Sequence, residues 1–348
     1  MEGRIFRGRD ILKSPAEPLD TLWSTLHSWS APIRLGNNSI TPKVGEISMT
    51  QPLNPLRIAA APISWGVCEV PGWGHVLDSR TVLSAMSALG LTATELGPPG
   101  YLPRDPGELR TLLGEFGMTM LGGFLAVALH RDPDRAIAAA EETAALFAAT
   151  GAEVLVLAAA TGLDGYDARP QLSDSEWRTL IETAGAIRDL AAGHGLRTVL
   201  HPHVGTHVES EAEVERFVAD SDLDLCLDTG HLLIGGADPV KLAQRHANRI
   251  GHIHLKDVRA ELADKIRSGA LEYSEAVRQG VYVPLGDGDV DIDALVRALH
   301  AAGYRGWYVI EQDAALRPTD SAELPSRDAE RSLRHLAGIG SALASVRI

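Results

Sequence analysis

The chain is short of cysteine, of long apolar runs and of positive charge, and each shortage closes a class of function. Its 348 residues hold two cysteines, Cys68 and Cys226. Two thiols do not make a disulfide framework, and residues 1–48 lack the apolar stretch of a secretory signal, so a reducing, cytoplasmic setting is expected. The longest apolar runs, 124–129 and 154–160, fall far below the roughly 18 residues of a membrane span, so no membrane partner is expected. The net charge of −14 repels a phosphate backbone and makes nucleic acid a poor partner. With 34 glycines and 19 prolines, the composition is not that of a low-complexity or collagen-like chain.

Several motifs are also missing. No Gly-x-Ser-x-Gly, His-Glu-x-x-His, Cys-x-x-Cys or P-loop occurs, and no Gly-x-Gly-x-x-Gly follows the first apolar run. The acidic stretch that starts at Asp287 fails as a calcium loop, because Ile292 stands where glycine is needed and Ala298 where glutamate is needed. It reads instead as a tight turn at Gly286-Asp287-Gly288 leading into a helix.

What is present begins near Arg57. Residues 1–48 show no sustained period of 3.6 or 2 and carry Pro15, Pro18, Pro32 and Pro42. Residues 1–52 are therefore expected to be an N-terminal extension, either a mobile arm or a mis-assigned start with Met49 as the natural initiator, and 53–348 the catalytic domain. Apolar runs at 57–63, 93–96, 118–127, 153–157, 197–201, 223–227, 249–254 and 306–310 read as strands. Most are continuous rather than alternating, which suits parallel strands covered on both faces.

Helical patterns fall between them. Asp132-Pro133 is an N-cap and first-turn proline opening a helix that ends at Gly151. Residues 173–193 and 289–302 carry apolar positions at helical spacing and end near glycine. Eight strands alternating with helices over about 250 residues predict an α/β fold, a (β/α)8 TIM barrel, with a doubly wound sheet as the runner-up. The stretch 260–283 is longer than a connection needs and is expected to form an extra helix or a lid; 326–344 is expected to form a C-terminal helix.

Polar side chains then gather at one end of the predicted strands, where barrel enzymes keep their active sites. They are Glu95, His201 with His203, Asp228 with His231, His254 with Lys256, and Glu311. Seven of the thirteen histidines lie between His201 and His254. Mixed imidazole and carboxylate donors suit one divalent ion, Mn²⁺ or Co²⁺ by preference, with Zn²⁺ or Fe²⁺ also compatible. Each residue has a plainer reading as well. Asp228 could cap the next helix, His201 and His254 could be core histidines, and Glu311 could pair with Arg305 or Lys256. Lys256 and Glu95 could serve structural ion pairs. Cys68 and Cys226 read as small apolar fillers. Trp65 and Trp73 could line a sugar pocket or cover the barrel mouth.

The stretches Ala61-Pro-Ile-Ser-Trp65, Ala93-Thr-Glu95-Leu-Gly97, His201-Pro-His203-Val-Gly-Thr206, Leu227-Asp-Thr-Gly-His231, His252-Ile-His-Leu-Lys-Asp-Val-Arg259, Gly280-Val-Tyr-Val-Pro-Leu-Gly-Asp-Gly288 and Gly306-Trp-Tyr-Val-Ile-Glu-Gln-Asp313 resemble the sugar isomerase/epimerase superfamily with the xylose-isomerase-like barrel. The resemblance covers residues 57–313 and is nearest to the inosose (2-keto-myo-inositol) dehydratase branch. It implies a divalent metal bound through Glu, Asp, His and Glu on strands five to eight. Asp228, His254 and Glu311 match the last three places. His201 stands where the first glutamate is expected, so the first ligand is open between His201, His203 and a site with three protein ligands; His201 is taken as the ligand and His203 as a substrate-side group. Residues 67–73 also depart from the branch, which leaves the substrate open.

The resemblance implies a lyase that dehydrates a cyclic polyol ketone by proton abstraction next to a metal-bound carbonyl. His203, Glu95, His231 and Lys256 are the candidates for the proton-transfer and positioning roles. The alternatives are a ketose isomerase or epimerase, a 3-keto-glycoside (C-glycoside) lyase on the same site, or a metal-free sugar-binding barrel. A small-molecule polyol or sugar is the expected partner, together with a homo-oligomer. A DNA-repair endonuclease on this barrel would need a basic groove that the charge does not supply.

Overall fold

The computed structural model describes residues 56–68 and 70–345. The expectations for residues 1–52 and for Met49 lie outside the described residues. Eight parallel strands close into a barrel in chain order, with the last returning to the first. They are β1 (Arg57–Ala60), β2 (Ala93–Glu95), β3 (Thr119–Val127), β4 (Val154–Ala159), β5 (Arg197–Leu200), β6 (Asp224–Asp228) and β7 (Ile250–Leu255). Two short strands, β8 (Asp257–Val258) and β9 (Tyr282–Val283), then pair antiparallel before β10 (Trp307–Ile310) closes the barrel. Every apolar run read as a strand overlaps a barrel strand, and the (β/α)8 expectation holds.

Helices cover the outside, and their first turns are fixed by local chemistry. Asp78, Asp105, Asp132 and Asp291 each accept a backbone N–H of the first turn, and Ser173 and Ser210 form full capping boxes. Each such cap contributes about 1 kcal/mol. The helix Pro133–Thr150 opens on Asp132 and stops at left-handed Gly151, as its sequence predicts. The helices Asp174–Gly193, Ile292–Ala301 and Glu323–Ser345 occupy the other predicted stretches.

Strand parity sorts the side chains. Along β4, Leu155 and Leu157 pack outward in the large core, whereas Val154 and Val156 belong to a separate cluster with Ala59, Ala93, Val199, Cys226 and Val309. These residues, one from most strands and mostly small, fill the barrel interior. The same parity continued toward the carboxyl ends turns Glu95, His201, Asp228, His254, Lys256 and Glu311 inward.

The excursion between β7 and β10 contains two helices, Ala260–Arg267 and Tyr273–Arg278. It is pinned by the buried carboxylate of Asp257, which accepts the N–H groups of Val258, Gly286, Gly288 and Val290 at 2.8–3.0 Å. Gly286 takes φ +91°, and a Cβ on Gly288 would lie 2.3 Å from Asp257 Oδ1, so this acceptor loop needs both glycines.

Candidate active site

A cleft of about 1070 Å³, including its open mouth, lies at the carboxyl end of the barrel. Its floor is polar, with Glu95, His201, His203, His254, Lys256 and Glu311, and its walls are largely apolar and aromatic, with Trp73, Phe124, Tyr166 and Tyr273.

All four residues proposed from sequence as metal ligands converge there. His201 Nε2 lies 3.1 Å from His254 Nδ1 and 3.4 Å from Asp228 Oδ2. His254 Nδ1 lies 3.7 Å from Asp228 Oδ2 and 3.3 Å from Glu311 Oε2. Donor atoms about 2.0–2.2 Å from a tetrahedral ion stand roughly 3.3–3.6 Å apart. The spacing of Asp228, His254 and Glu311 is that of donors around a common centre, and His201 stands beside two of them.

Asp228 supplies the sharpest test of fit. Its Oδ1 caps the helix Thr229–Ile234 by accepting from Gly230 N (2.9 Å) and His231 N (2.8 Å). Its Oδ2 is buried without a hydrogen-bond partner. The helix cap and the inward-facing oxygen of a candidate metal ligand, the two readings of this residue in the sequence, coexist. Burial alone would push its carboxyl up, but the Lys256 ammonium outweighs that, and the imidazoles of His201 and His254 beside Oδ2 help to hold it well below the usual carboxylate range. An ionised oxygen that no hydrogen bond satisfies, 3.4–3.7 Å from two imidazoles and the Lys256 ammonium, fits a divalent cation.

Lys256 is the ammonium of this cluster. It is buried, with Nζ 2.6 Å from Asp313 Oδ1, 2.8 Å from Glu311 Oε2 and 3.5 Å from Asp228 Oδ2. Burial opposes its charge, yet Asp228, Asp313 and Glu311 keep it protonated. Its Nζ also lies 3.3 Å from His231 Nε2.

His203 sits beside the donor cluster. Its Nδ1–H donates to Val204 O (2.7 Å), and its ring stacks on His231 at 3.8 Å between centroids. Burial first, then His201 and Lys256, pushes its imidazole down to about 3, so it is neutral at physiological pH. His231 is likewise kept neutral by burial and by His203 and Lys256.

Glu95, expected among the proton-transfer groups, lies lower in the barrel. Its Oε1 accepts from His252 Nε2 (2.9 Å) and His254 Nε2 (3.2 Å). Trp65 is fully buried, with its indole N–H on Ser326 Oγ, and only Trp73 of that pair reaches the cleft. Cys226 packs in the barrel interior, and Cys68, half-buried, packs against the large core while also lining the cleft.

The sequence reading placed His252 and Asp313 at strand ends without giving them a role, and it did not single out Tyr273 or Tyr282. Asp313 follows Glu311 by two residues and so shares its inward face, a signal that strand parity alone carries. Tyr273 donates to Asp313 Oδ2 (2.8 Å) and lies 3.0 Å from Tyr282 Oη, so the excursion predicted as a helix or lid reaches into the site.

A parallel barrel with an ionisable floor at its carboxyl end defines an enzyme of the (β/α)8 class. Residues 83–338 match the family described as xylose isomerase-like TIM barrel, and the chain belongs to that family. An inosose dehydratase of Geobacillus thermodenitrificans is 33% identical over 282 residues, covering 76% of this chain and 92% of that protein. The rhizopine catabolism protein MocC of Rhizobium meliloti is 34% identical over 268 residues, covering 74% of this chain and 82% of that protein. Among solved structures, the IolI protein with a bound zinc atom superposes with a TM-score of 0.62 at 15% identity, over 81% of this chain and 98% of that one. At that identity the likeness is one of fold.

Proposed function

We propose that the protein is a divalent-metal-dependent hydro-lyase acting on a cyclic polyol ketone of the inosose type. The observation that carries this reading is the buried Oδ2 of Asp228, which makes no hydrogen bond and groups with His254 and Glu311 beside His201. The inosose dehydratases at 33% identity support dehydration over isomerisation. Asp228, His254, Glu311 and His201 would hold the ion. A dication in that position supplies Lewis acidity, which polarises a ketone oxygen and makes the neighbouring C–H acidic.

The chain's own residues do the rest. His203, neutral and with its Nδ1–H spent on Val204 O, presents Nε2 as the acceptor for the proton on the carbon beside the ketone. As that C–H bond breaks, its electron pair forms the carbon–carbon double bond and the next C–O bond breaks. Lys256, kept charged by its carboxylates, gives the departing hydroxide its proton, and water leaves. His231, stacked on His203 and 3.3 Å from Lys256 Nζ, holds the acceptor and the donor in register. Trp73, Tyr166 and Tyr273 exclude water from one side of the ring.

The test is a metal-stripped enzyme reloaded with Mn²⁺, Co²⁺ or Zn²⁺ and offered 2-keto-myo-inositol, followed by the ultraviolet absorbance of the enolised dione. Metal-dependent growth of that band is expected. A protein that holds one metal per chain but gives no signal would overturn dehydration of this ketone and move the reading to a ketose isomerase or a keto-glycoside lyase.

A further inference from the structure

Below the donor cluster, two histidines of β7 share one carboxylate oxygen. Glu95 Oε1 stands 2.9 Å from His252 Nε2 and 3.2 Å from His254 Nε2, and all three side chains are buried. An ionised carboxylate only accepts, so both rings carry their hydrogen on Nε2. In the neutral ring the lone pair then falls on Nδ1 of His254, and this is the atom that faces His201, Asp228 and Glu311.

The backbone is built to make this contact. The pairing of β2 with β3 slips by one residue between Thr94 and Glu95, which pair with Met120 and Gly122. The pairing of β6 with β7 slips in the same way, so that Leu225 pairs with Ile250 and Cys226 with His252. The residue left over on β7 is Gly251, where a Cβ would meet Val199 Cγ1 at 2.7 Å. Bulges of this kind re-aim side chains. Here they fall on the strands that carry the carboxylate and its two imidazoles. Small interior neighbours such as Ala59, Ala93 and Cys226 leave the barrel axis open for them.

We infer that Glu95 and His252 are positioning residues for metal binding. Glu95 fixes the tautomer and ring angle of His254, and His252 braces Glu95 from the other side, so that His254 Nδ1 is presented to the ion. Neither touches substrate in this role. The inference rests on the metal reading above but not on the identity of the substrate, and its test reads metal binding rather than turnover.

Co²⁺ affinity is measured by chelator competition, with stoichiometry and the ligand-field absorption spectrum, on the full chain and on Glu95→Gln and His252→Gln. Outer groups of this kind change metal affinity by about 10–100-fold. The expectation is a loss in that range for both variants, a changed Co²⁺ spectrum as the His254 ring is freed to turn, and one ion per chain throughout. Glu95→Gln keeps the shape and an acceptor oxygen, so it separates charge from packing, and His252→Gln serves where Glu95→Gln does not fold. Unchanged affinity and spectrum in both variants would overturn the inference and leave the metal reading standing. A second Co²⁺ in the parent, lost in both variants, would overturn it too, because Glu95, His252 and His254 would then be ligands. A parent that binds no Co²⁺ would remove the metal reading and the inference together.

Discussion

Lys256→Met separates the two cations that the carboxylates of this site can recruit. Methionine matches the unbranched stem of lysine and removes the charge. In the metal-free protein the ammonium lies within 3.5 Å of Asp228, Glu311 and Asp313. Removing one partner of a buried ion pair costs about 3–5 kcal/mol. A domain of this size loses about 2–4 °C in Tm per kcal/mol, so the metal-free variant should melt roughly 6–20 °C below the parent.

Adding Co²⁺ should reverse part of that loss. A dication at Asp228 and Glu311 neutralises two of the three stranded carboxylates, so the metal-induced rise in Tm should be larger in the variant than in the parent. Cobalt should also bind the variant more tightly, because Lys256 no longer competes for the same oxygens. The reloaded variant should still lose about 10²–10⁴-fold in kcat, the scale of a lost general acid. The assays are thermal unfolding with and without Co²⁺, chelator competition and steady-state turnover. An unchanged metal-free Tm together with an equal metal-induced shift would refute the reasoning, since Lys256 would then carry no load from these carboxylates.

Three further outcomes follow from the same geometry. Asp228→Asn keeps an oxygen for the N–H groups of Gly230 and His231, so the fold should survive while Co²⁺ affinity falls by at least the 10–100-fold typical of an outer group; equilibrium dialysis with circular dichroism reads both. His203→Ala should retain one metal per chain and lose about 10²–10⁴-fold in kcat. Away from the site, the imidazoles of His130 and His207 pack edge to face with centroids 4.4 Å apart. Burial, and then the neighbouring His130, pushes His207 down to about 4, while burial and Arg131 lower His130. Both are neutral in the fold, and the unfolded chain takes up their protons near pH 6.5. Stability should thus be level above about pH 6.5 and fall as pH drops toward about 4, with a shallower fall in a His130→Phe, His207→Phe double variant; chemical denaturation across that range measures it.

The barrel was legible because its strands are buried on both faces. Runs such as Val154–Ala159 leave no polar residue to confuse them with a surface helix. The floor of the site was legible because His201, Asp228, His254 and Glu311 close apolar strands, where a charged group needs a partner. Parity would also have found Asp313. The Glu95–His252 contact was not legible. It depends on slips in two strand pairings, and each shift of a single residue is invisible in a pattern of period two. Tyr273 was hidden for another reason. It arrives on the excursion after β7, whose path is fixed by Asp257 and the N–H groups at Gly286, Gly288 and Val290 rather than by any periodicity. The two tryptophans near β1 diverge because Pro62–Trp65 forms a tight 3-10 turn that tucks Trp65 against the C-terminal helix, whereas Trp73 turns toward the cleft.

Charge balance favours a dication over a neutral sugar as the primary occupant of this floor. Glu95, Asp228, Glu311 and Asp313 are four carboxylates, each no more than 7% exposed, and the ammonium among them is that of Lys256. His254 is driven toward its protonated form: burial opposes that charge, and the carboxylates of Glu311 and Glu95 outweigh the opposition. Even with His254 charged, the cluster keeps an excess of buried negative charge, which a protein interior tolerates poorly without a counterion. A dication held by Asp228 and Glu311 offsets that excess and returns His254 to the neutral form in which Nδ1 can bind. Metal binding should therefore release a proton. Titration with Co²⁺ in buffers of different ionisation enthalpy would count it, and a count of zero would mean that His254 was neutral before the ion arrived.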